Sequence, residues 1–477
     1  MLENLYPRDV FSYFEKISSI PRGSGNCRNI ADYIESFAHE KGLCFERDHW
    51  DNVIIKKPGT SALANAPVVM LQGHLDMVCE KVPQSLHDFE RDPLPLQTDG
   101  KEVWSEGTTL GADDGIAIAM MLALLADETA ALPPLECVFT TDEEIGLIGA
   151  QNLDLSRCNA KYLINLDCDE DGVFIAGCCG GVRVRYSIPV QRVCRKGSEI
   201  RLTIDGLQGG HSGAEIHKNG ANAVRLMARL LHMTMGESNY SILSMQGGDK
   251  DNVIPDRCTA EIIGEGDFAD AFVHLEQEYR NREPNMQFTA EKLGTQEAEV
   301  LTDGSGKDVL QFLAASPCGV LTMHPDIAGL VGTSANLAAV NTKDNEICGT
   351  ISVRSETLEN RDAVCGQIGS LLAEVGGSER RDGAYPGWEY SRASKLRQVV
   401  AETWHEMFGV APKVEVIHAG LECGVLQSKL HGLDIISFGP KITGIHTVSE
   451  RLDVESVCKN YRFLLEVLNR LGRNTHA

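Results

Sequence analysis

An α/β fold interrupted by an inserted α+β domain is what this 477-residue chain predicts, and three observations predict it. Apolar β-branched runs alternate with helix-period segments up to about residue 180. Near Gly180 the texture changes to strands that alternate apolar with charged residues, and near Lys395 the first texture resumes. Acidic and histidine side chains also recur where the apolar strands end, the usual address of sites in open α/β sheets. The expected divisions are 1–180, 181–390 and 391–477, with the last completing the first.

Taken in order, Val10, Phe11, Phe14 and Ile17 have helical spacing, as do Ile30, Ile34 and Phe37, with Gly42 placed to end the second helix. Residues 43–57 read as two strands turning at Asp51-Asn52. The run Pro67-Val68-Val69-Met70-Leu71 is a buried strand that leads into Gly73-His74-Leu75-Asp76. In an extended chain, residues i and i+2 share a face, so His74 and Asp76 project together. Asp99-Gly100 marks a hairpin turn. Then Gly111-Ala112-Asp113-Asp114-Gly115 opens an apolar helix reaching Ala126. Acidic residues at a helix start also cap free amides, but two between glycines exceed that need. The glycines are expected to allow an unusual backbone and the close approach of an ion.

Strand Leu135 to Thr140 delivers Asp142-Glu143-Glu144, and strand Tyr162 to Leu166 delivers Asp167. In the middle region, Val182, Val184 and Tyr186 alternate with arginine, and Gly209-Gly210-His211-Ser212-Gly213 precedes a helix from Ala221 to Met233. Strands follow near 242–245 and 258–263, and a second round of helices and strands runs to about Arg381. Gly376-Gly377 and 383–387 read as a linker. Afterwards come a helix from Lys395, a strand at 414–417, His418-Ala419-Gly420-Leu421-Glu422, a strand at 433–437, Gly444-Ile445-His446-Thr447 and a last amphipathic helix.

A formal net charge of −24 argues against nucleic acid and against anionic membrane surfaces as partners. The amino terminus lacks the basic start and apolar core of a signal peptide, and the longest apolar run is too short to span a bilayer. Fifteen cysteines without a Cys-x-x-Cys fit reduced thiols and a cytoplasmic location. Two histidines and three carboxylates (His74, Asp113, Glu144, Asp167, His446) suit two zinc-like ions sharing a bridging carboxylate, a known arrangement for hydrolysis. Adjacent Glu143 and Glu144 diverge, so one can bind metal while the other serves as general base. Asp76 is placed to accept the other ring N–H of His74.

The motifs Gly-His-Leu-Asp-Met-Val, Gly-Ala-Asp-Asp-Gly, Thr-Asp-Glu-Glu-Ile-Gly, Gly-Gly-His-Ser-Gly and Gly-Ile-His-Thr occur in this order over nearly the whole chain. Together they resemble the co-catalytic zinc aminopeptidase, carboxypeptidase and aminoacylase superfamily, and their wording is most similar to its dipeptidase branch. The resemblance implies a three-layer catalytic domain with a mixed central sheet and an inserted α+β lid for dimerisation and substrate binding. It implies two Zn2+ per subunit, with Co2+ or Mn2+ as substitutes. Asp113 would bridge, His74 and Asp167 would hold one ion, Glu144 and His446 the other, and Asp113–Asp114 would be cis. Glu143 would be the base for a metal-bound hydroxide acting on Xaa-His and other unblocked dipeptides. His211 would reach a partner subunit's site in a homodimer and steady the oxyanion. Asn252 and Arg354 would grip the substrate carboxylate, and Gly420 would line the pocket. The rivals are a tripeptide or N-acyl amino acid hydrolase on this fold and a silent binding protein, against which intact Asp76 and Glu143 argue. A P-loop at 304–308 lacks its first glycine and its Ser/Thr, and Ser212 lacks a nucleophile-elbow setting.

Overall fold

The computed structural model describes residues 1–236, 238–325 and 327–473. They form two compact units. The first unit comprises Met1–Cys178, Trp388–Val416 and Leu421–Ala477, and the second comprises Cys179–Gly387 with Ile417–Gly420.

The first unit is built on an eight-stranded mixed sheet. Val69–His74, Leu135–Thr140, Tyr162–Asn165 and Asp434–Ser437 run parallel at its centre, and Cys44–Arg47 and Val53–Lys57 form an antiparallel edge. The register sets His74 opposite Thr140 and Gln72 opposite Asn165. Three chain segments therefore leave the sheet at the same end, which is why acids distant in sequence converge there. Successive side chains alternate between faces. Val69, Leu71, Cys137, Phe139, Ile164 and Ile436 share one core with the apolar sides of helices Arg8–Ser18, Ala112–Ala126 and Val454–Arg473. The intervening Met70, Val138, Leu163 and Ile435 are buried on the other face, where burial requires a second helical layer. Helices Ile148–Asn152 and Glu422–Lys429, which pack on each other, belong to this unit. A smaller sheet pairs Arg451–Asp453 with both Ile442–Thr443 and Glu102–Ser105.

The second unit is a nine-stranded sheet with helices Ala223–Thr234, Ala269–Tyr279, Asp303–Ala315 and Leu358–Glu374. The pairings determined within it are antiparallel. The stretch read as a linker instead carries the strand Ser378–Tyr385, paired with Gly180–Pro189, and the passage between units falls at 387–388. Its glycines have local reasons: Gly376, with φ +67°, turns helix into strand, and a Cβ on Gly383 would meet the Arg183 guanidinium. Among the described residues, no helix is long and apolar enough to cross a membrane.

Candidate metal centre

His74 is the last residue of its strand and is buried. Its Nε2 lies 3.1 Å from Asp113 Oδ1, while Nδ1 faces Asp76, 3.4 Å from Oδ1 and 3.2 Å from the backbone oxygen. The Asp76 carboxylate does more than orient this ring. It accepts the backbone N–H of Glu143 at 3.0 Å and of Glu144 at 3.3 Å, and the Ser24 hydroxyl at 2.7 Å. One buried carboxylate thus sets the strand end against the Glu143-Glu144 turn.

Asp113 offers its second oxygen to His446, 3.2 Å away, and His446 Nε2 also lies 2.8 Å from Glu144 Oε1. His446 sits with φ +61° in the loop joining Ile442–Thr443 to Arg451–Asp453. Ligand atoms of His74, Asp113 and Glu144 lie within 4.8 Å of one another, as do those of His74, Asp114 and Asp167. The sequence pattern assigns Asp114 no role of its own. Its carboxylate accepts the backbone N–H of His74 at 3.1 Å. It can do so because residue 73 is glycine: a Cβ there would stand 2.5 Å from Asp114 Oδ2. The Asp113–Asp114 peptide is cis, and both residues depart from helical dihedrals, so regular helix begins at Gly115. Gly111 does hold an unusual backbone, at φ +66°.

The donor set fits divalent cations. Burial pushes the Asp114, Glu143 and Asp167 carboxyls well above their usual range, and neighbouring carboxylates add to it. Burial would lower the His74 imidazole, but Asp113 and Asp76 hold it well above its ordinary value. Hydrogen bonds to Asp113 and Glu144 raise His446 to about 10. Carboxylates crowded around two imidazoles, buried at Asp114 and half-buried at Asp113, Glu144 and Asp167, carry when ionised an excess of negative charge that bound cations would neutralise, and N/O donors of this kind suit zinc and its neighbours. Beneath His74, Gln72 donates to Thr140 and Glu422 and accepts from Asn165. Burial lifts Glu422 to about 7.

The remaining sequence candidates lie in the second unit. His211 Nδ1 accepts the N–H of Ala214 at 3.0 Å and of Gly213 at 3.3 Å, which leaves the ring proton on Nε2. The carbonyl of the exposed Asn252 accepts the Ser212 N–H at 2.8 Å. Arg354 donates from Nη1 to the Tyr385 hydroxyl at 2.8 Å, and its buried Nε makes no hydrogen bond among the described residues. Gly420 lies under the same ring, since a Cβ there would be 2.6 Å from Tyr385 Cε2. Tyr385 joins two candidates but carries no sequence signal, because it reads as part of a glycine-rich turn.

Comparison with known proteins gives the family. Residues 70–470 match the model of peptidase family M20/M25/M40. The cytosol non-specific dipeptidase of Escherichia coli is 36% identical over 98% of this chain and 99% of its own length. The crystal structure of aminoacylhistidine dipeptidase from Vibrio alginolyticus superimposes with a TM-score of 0.88 at 32% identity, over 98% of each chain. A tripeptidase from Staphylococcus aureus, at 16% identity and TM-score 0.58 over 98% of this chain and 99% of its own, shares the fold alone. A match that spans the strand ends, the inserted unit and the His446 loop together leaves no doubt of kinship: the chain belongs to peptidase family M20/M25/M40.

Proposed function

We propose that the chain is a metal-dependent dipeptidase that takes unblocked dipeptides, Xaa-His among them, with two Zn2+ ions per subunit. The observation that carries this is the Asp113 carboxylate, with one oxygen toward His74 and the other toward His446, in a chain alike end to end to a named dipeptidase. His74 and Asp167 would hold one ion, Glu144 and His446 the other, with Asp113 between them. Asp114 lies within reach of the first. Bound there, the ions would polarise the scissile carbonyl and acidify the attacking water.

The chain's own residues supply the rest. Glu143 takes the proton of the attacking water and passes it to the leaving amine, the role open to an acid that adjoins the ligand Glu144. Asp76 keeps His74 in one tautomer and fixes the Glu143 backbone, so ligand and base move together. His211 presents an Nε2–H, the donor that an oxyanion requires, to the site of a partner subunit in a homodimer formed through the inserted unit. Arg354, with Asn252, grips the substrate carboxylate through a planar fork that Tyr385 holds in place, and Gly420 lines that pocket. A cytosolic location follows the name of the Escherichia coli relative.

The test is initial-rate hydrolysis of Ala-His, Gly-Gly-Gly and N-acetyl-methionine by metal-reconstituted protein beside a chelated control. Metal-dependent cleavage of Ala-His alone is expected. Cleavage of the other two would overturn the substrate assignment, and metal binding without any cleavage would overturn the activity.

A further inference from the structure

Two buried residues of opposite charge, outside every role assigned above, hold the turn that carries Asp113. The Glu450 carboxylate accepts four consecutive backbone N–H groups. Oε2 takes Leu110 at 2.7 Å and Gly111 at 3.0 Å, and Oε1 takes Ala112 at 2.8 Å and Asp113 at 3.3 Å. Successive amides curled around a left-handed residue make an anion-binding nest, and Gly111 is that residue. No side chain of the turn itself caps it. From the other side, Arg22 donates from Nη2 to the Gly111 carbonyl, and from Nη1 to the carbonyls of Leu75 at 2.9 Å and Asp76 at 3.0 Å. Gly111 is therefore gripped at its C=O by the cation and at its N–H by the anion. Each residue is 2% exposed, so both charges work with little screening by water.

The connections reach all the loops that carry the Asp113 pair of histidines. Arg22 ties the 110–113 turn to the His74–Asp76 strand end. Glu450 lies four residues after His446 in a loop braced by its own bonds: Thr447 N–H to Gly444, Thr447 hydroxyl to Gly444, and Glu450 N–H to Thr447. The glycines of Gly-Ala-Asp-Asp-Gly make room for the guanidinium. A Cβ on Gly111 or Gly115 would stand 2.6 or 2.5 Å from Arg22 Nη2. The space expected for an ion at these glycines is occupied by this arginine.

We propose that Glu450 and Arg22 are positioning residues of the metal centre, joining the His74–Asp76 strand end, the Asp113 turn and the His446 loop into one cradle. This rests on the metal reading given above. A simple structural brace would set folding stability and leave metal affinity alone, so the test reads affinity.

Full-length protein is stripped of metal and titrated with Zn2+ against a chromophoric chelator, alongside Glu450→Gln and Gly115→Ala. Glutamine puts an amide NH2 where an amide N–H now donates. Alanine at 115 displaces the Arg22 guanidinium, while helix propensity by itself favours the change. Each variant is expected to bind Zn2+ about 10- to 100-fold more weakly, the usual cost of losing a partner behind a ligand. The free Zn2+ giving half-maximal dipeptidase activity should rise by the same factor, with kcat at saturating metal largely restored. Wild-type affinity in both variants would overturn the proposal, whatever their melting temperatures. Should Glu450→Gln fail to fold, Gly115→Ala decides alone. If the wild-type protein binds no Zn2+ at all, the metal reading itself falls, and this proposal with it.

Discussion

Replacing Asp76 by asparagine keeps the size of the side chain and removes one charge and one acceptor. At present Oδ1 faces His74 Nδ1 and accepts from Glu143, while Oδ2 accepts from Ser24 and Glu144. The amide can aim its oxygen at His74 and Glu143. Its NH2 then meets Ser24, whose hydroxyl can reverse and accept, and the Glu144 N–H, which cannot. One charge-assisted bond is lost, worth about 1.5–3 kcal/mol, and His74 loses the negative neighbour that makes it a better ligand. That range corresponds to about a 10- to 100-fold loss in metal affinity or kcat/KM. Asp76→Ala strands all four partners and should cost more in both activity and melting temperature. The assay is Zn2+ competition with a chelator, followed by kcat and KM on Ala-His at saturating metal. An asparagine variant within about twofold of wild type in both would refute the argument that this carboxylate couples ligand to base.

Glu143→Ala should keep its full metal content while kcat falls about 10²- to 10⁴-fold, the contribution of a positioned proton acceptor; near-normal turnover would remove Glu143 from that role. Gly420→Ala drives a methyl into the Tyr385 ring and breaks its hold on Arg354, so KM should rise about tenfold with kcat nearly unchanged; an unchanged KM would detach this pocket from substrate binding. Burial, reinforced by Arg354, pushes the His418 imidazole down to about 4. The unfolded chain takes up this proton near pH 6.5, before the folded one does, so stability is complete above that pH and is lost as pH falls toward 4. The loss is at most about 3 kcal/mol. Urea unfolding at pH 7 and pH 4.5 should show a smaller pH difference for His418→Gln than for wild type; equal differences would show that His418 stays neutral in neither state.

What could be read from the sequence is what local periodicity encodes. His74 and Asp76 share a face because a strand has period two, and Glu143, Glu144 and Asp167 could be placed because each follows a recognisable apolar run. The fold followed from the same alternation, with strand ends brought together by the parallel register of residues 69–74, 135–140 and 162–165. What leaves no local pattern is long-range and mediated by backbone. Glu450 reads as an ordinary acid before an amphipathic helix, and Arg22 as a charge in a Pro-Arg-Gly loop. Their partners are amides and carbonyls, which carry no residue identity and leave no pattern to match. Asp114 is silent in the sequence for a related reason: its place under His74 depends on the missing side chain of Gly73, forty-one positions earlier.

The glycines, then, carry information about what stands next to them. Gly73 admits a carboxylate, Gly111 and Gly115 admit a guanidinium, and Gly420 admits a tyrosine ring. In each case the nearest atom belongs to a charged or polar side chain that holds a candidate functional residue in place. Alanine at these four positions replaces no candidate ligand or base side chain, yet it displaces the side chain that stands next to it. A glycine beside a metal-binding motif is accordingly better read as the outline of a supporting side chain than as a source of flexibility. Where such a glycine has ordinary dihedrals, as Gly73 and Gly115 do, backbone freedom does not account for it, and the neighbour's volume does.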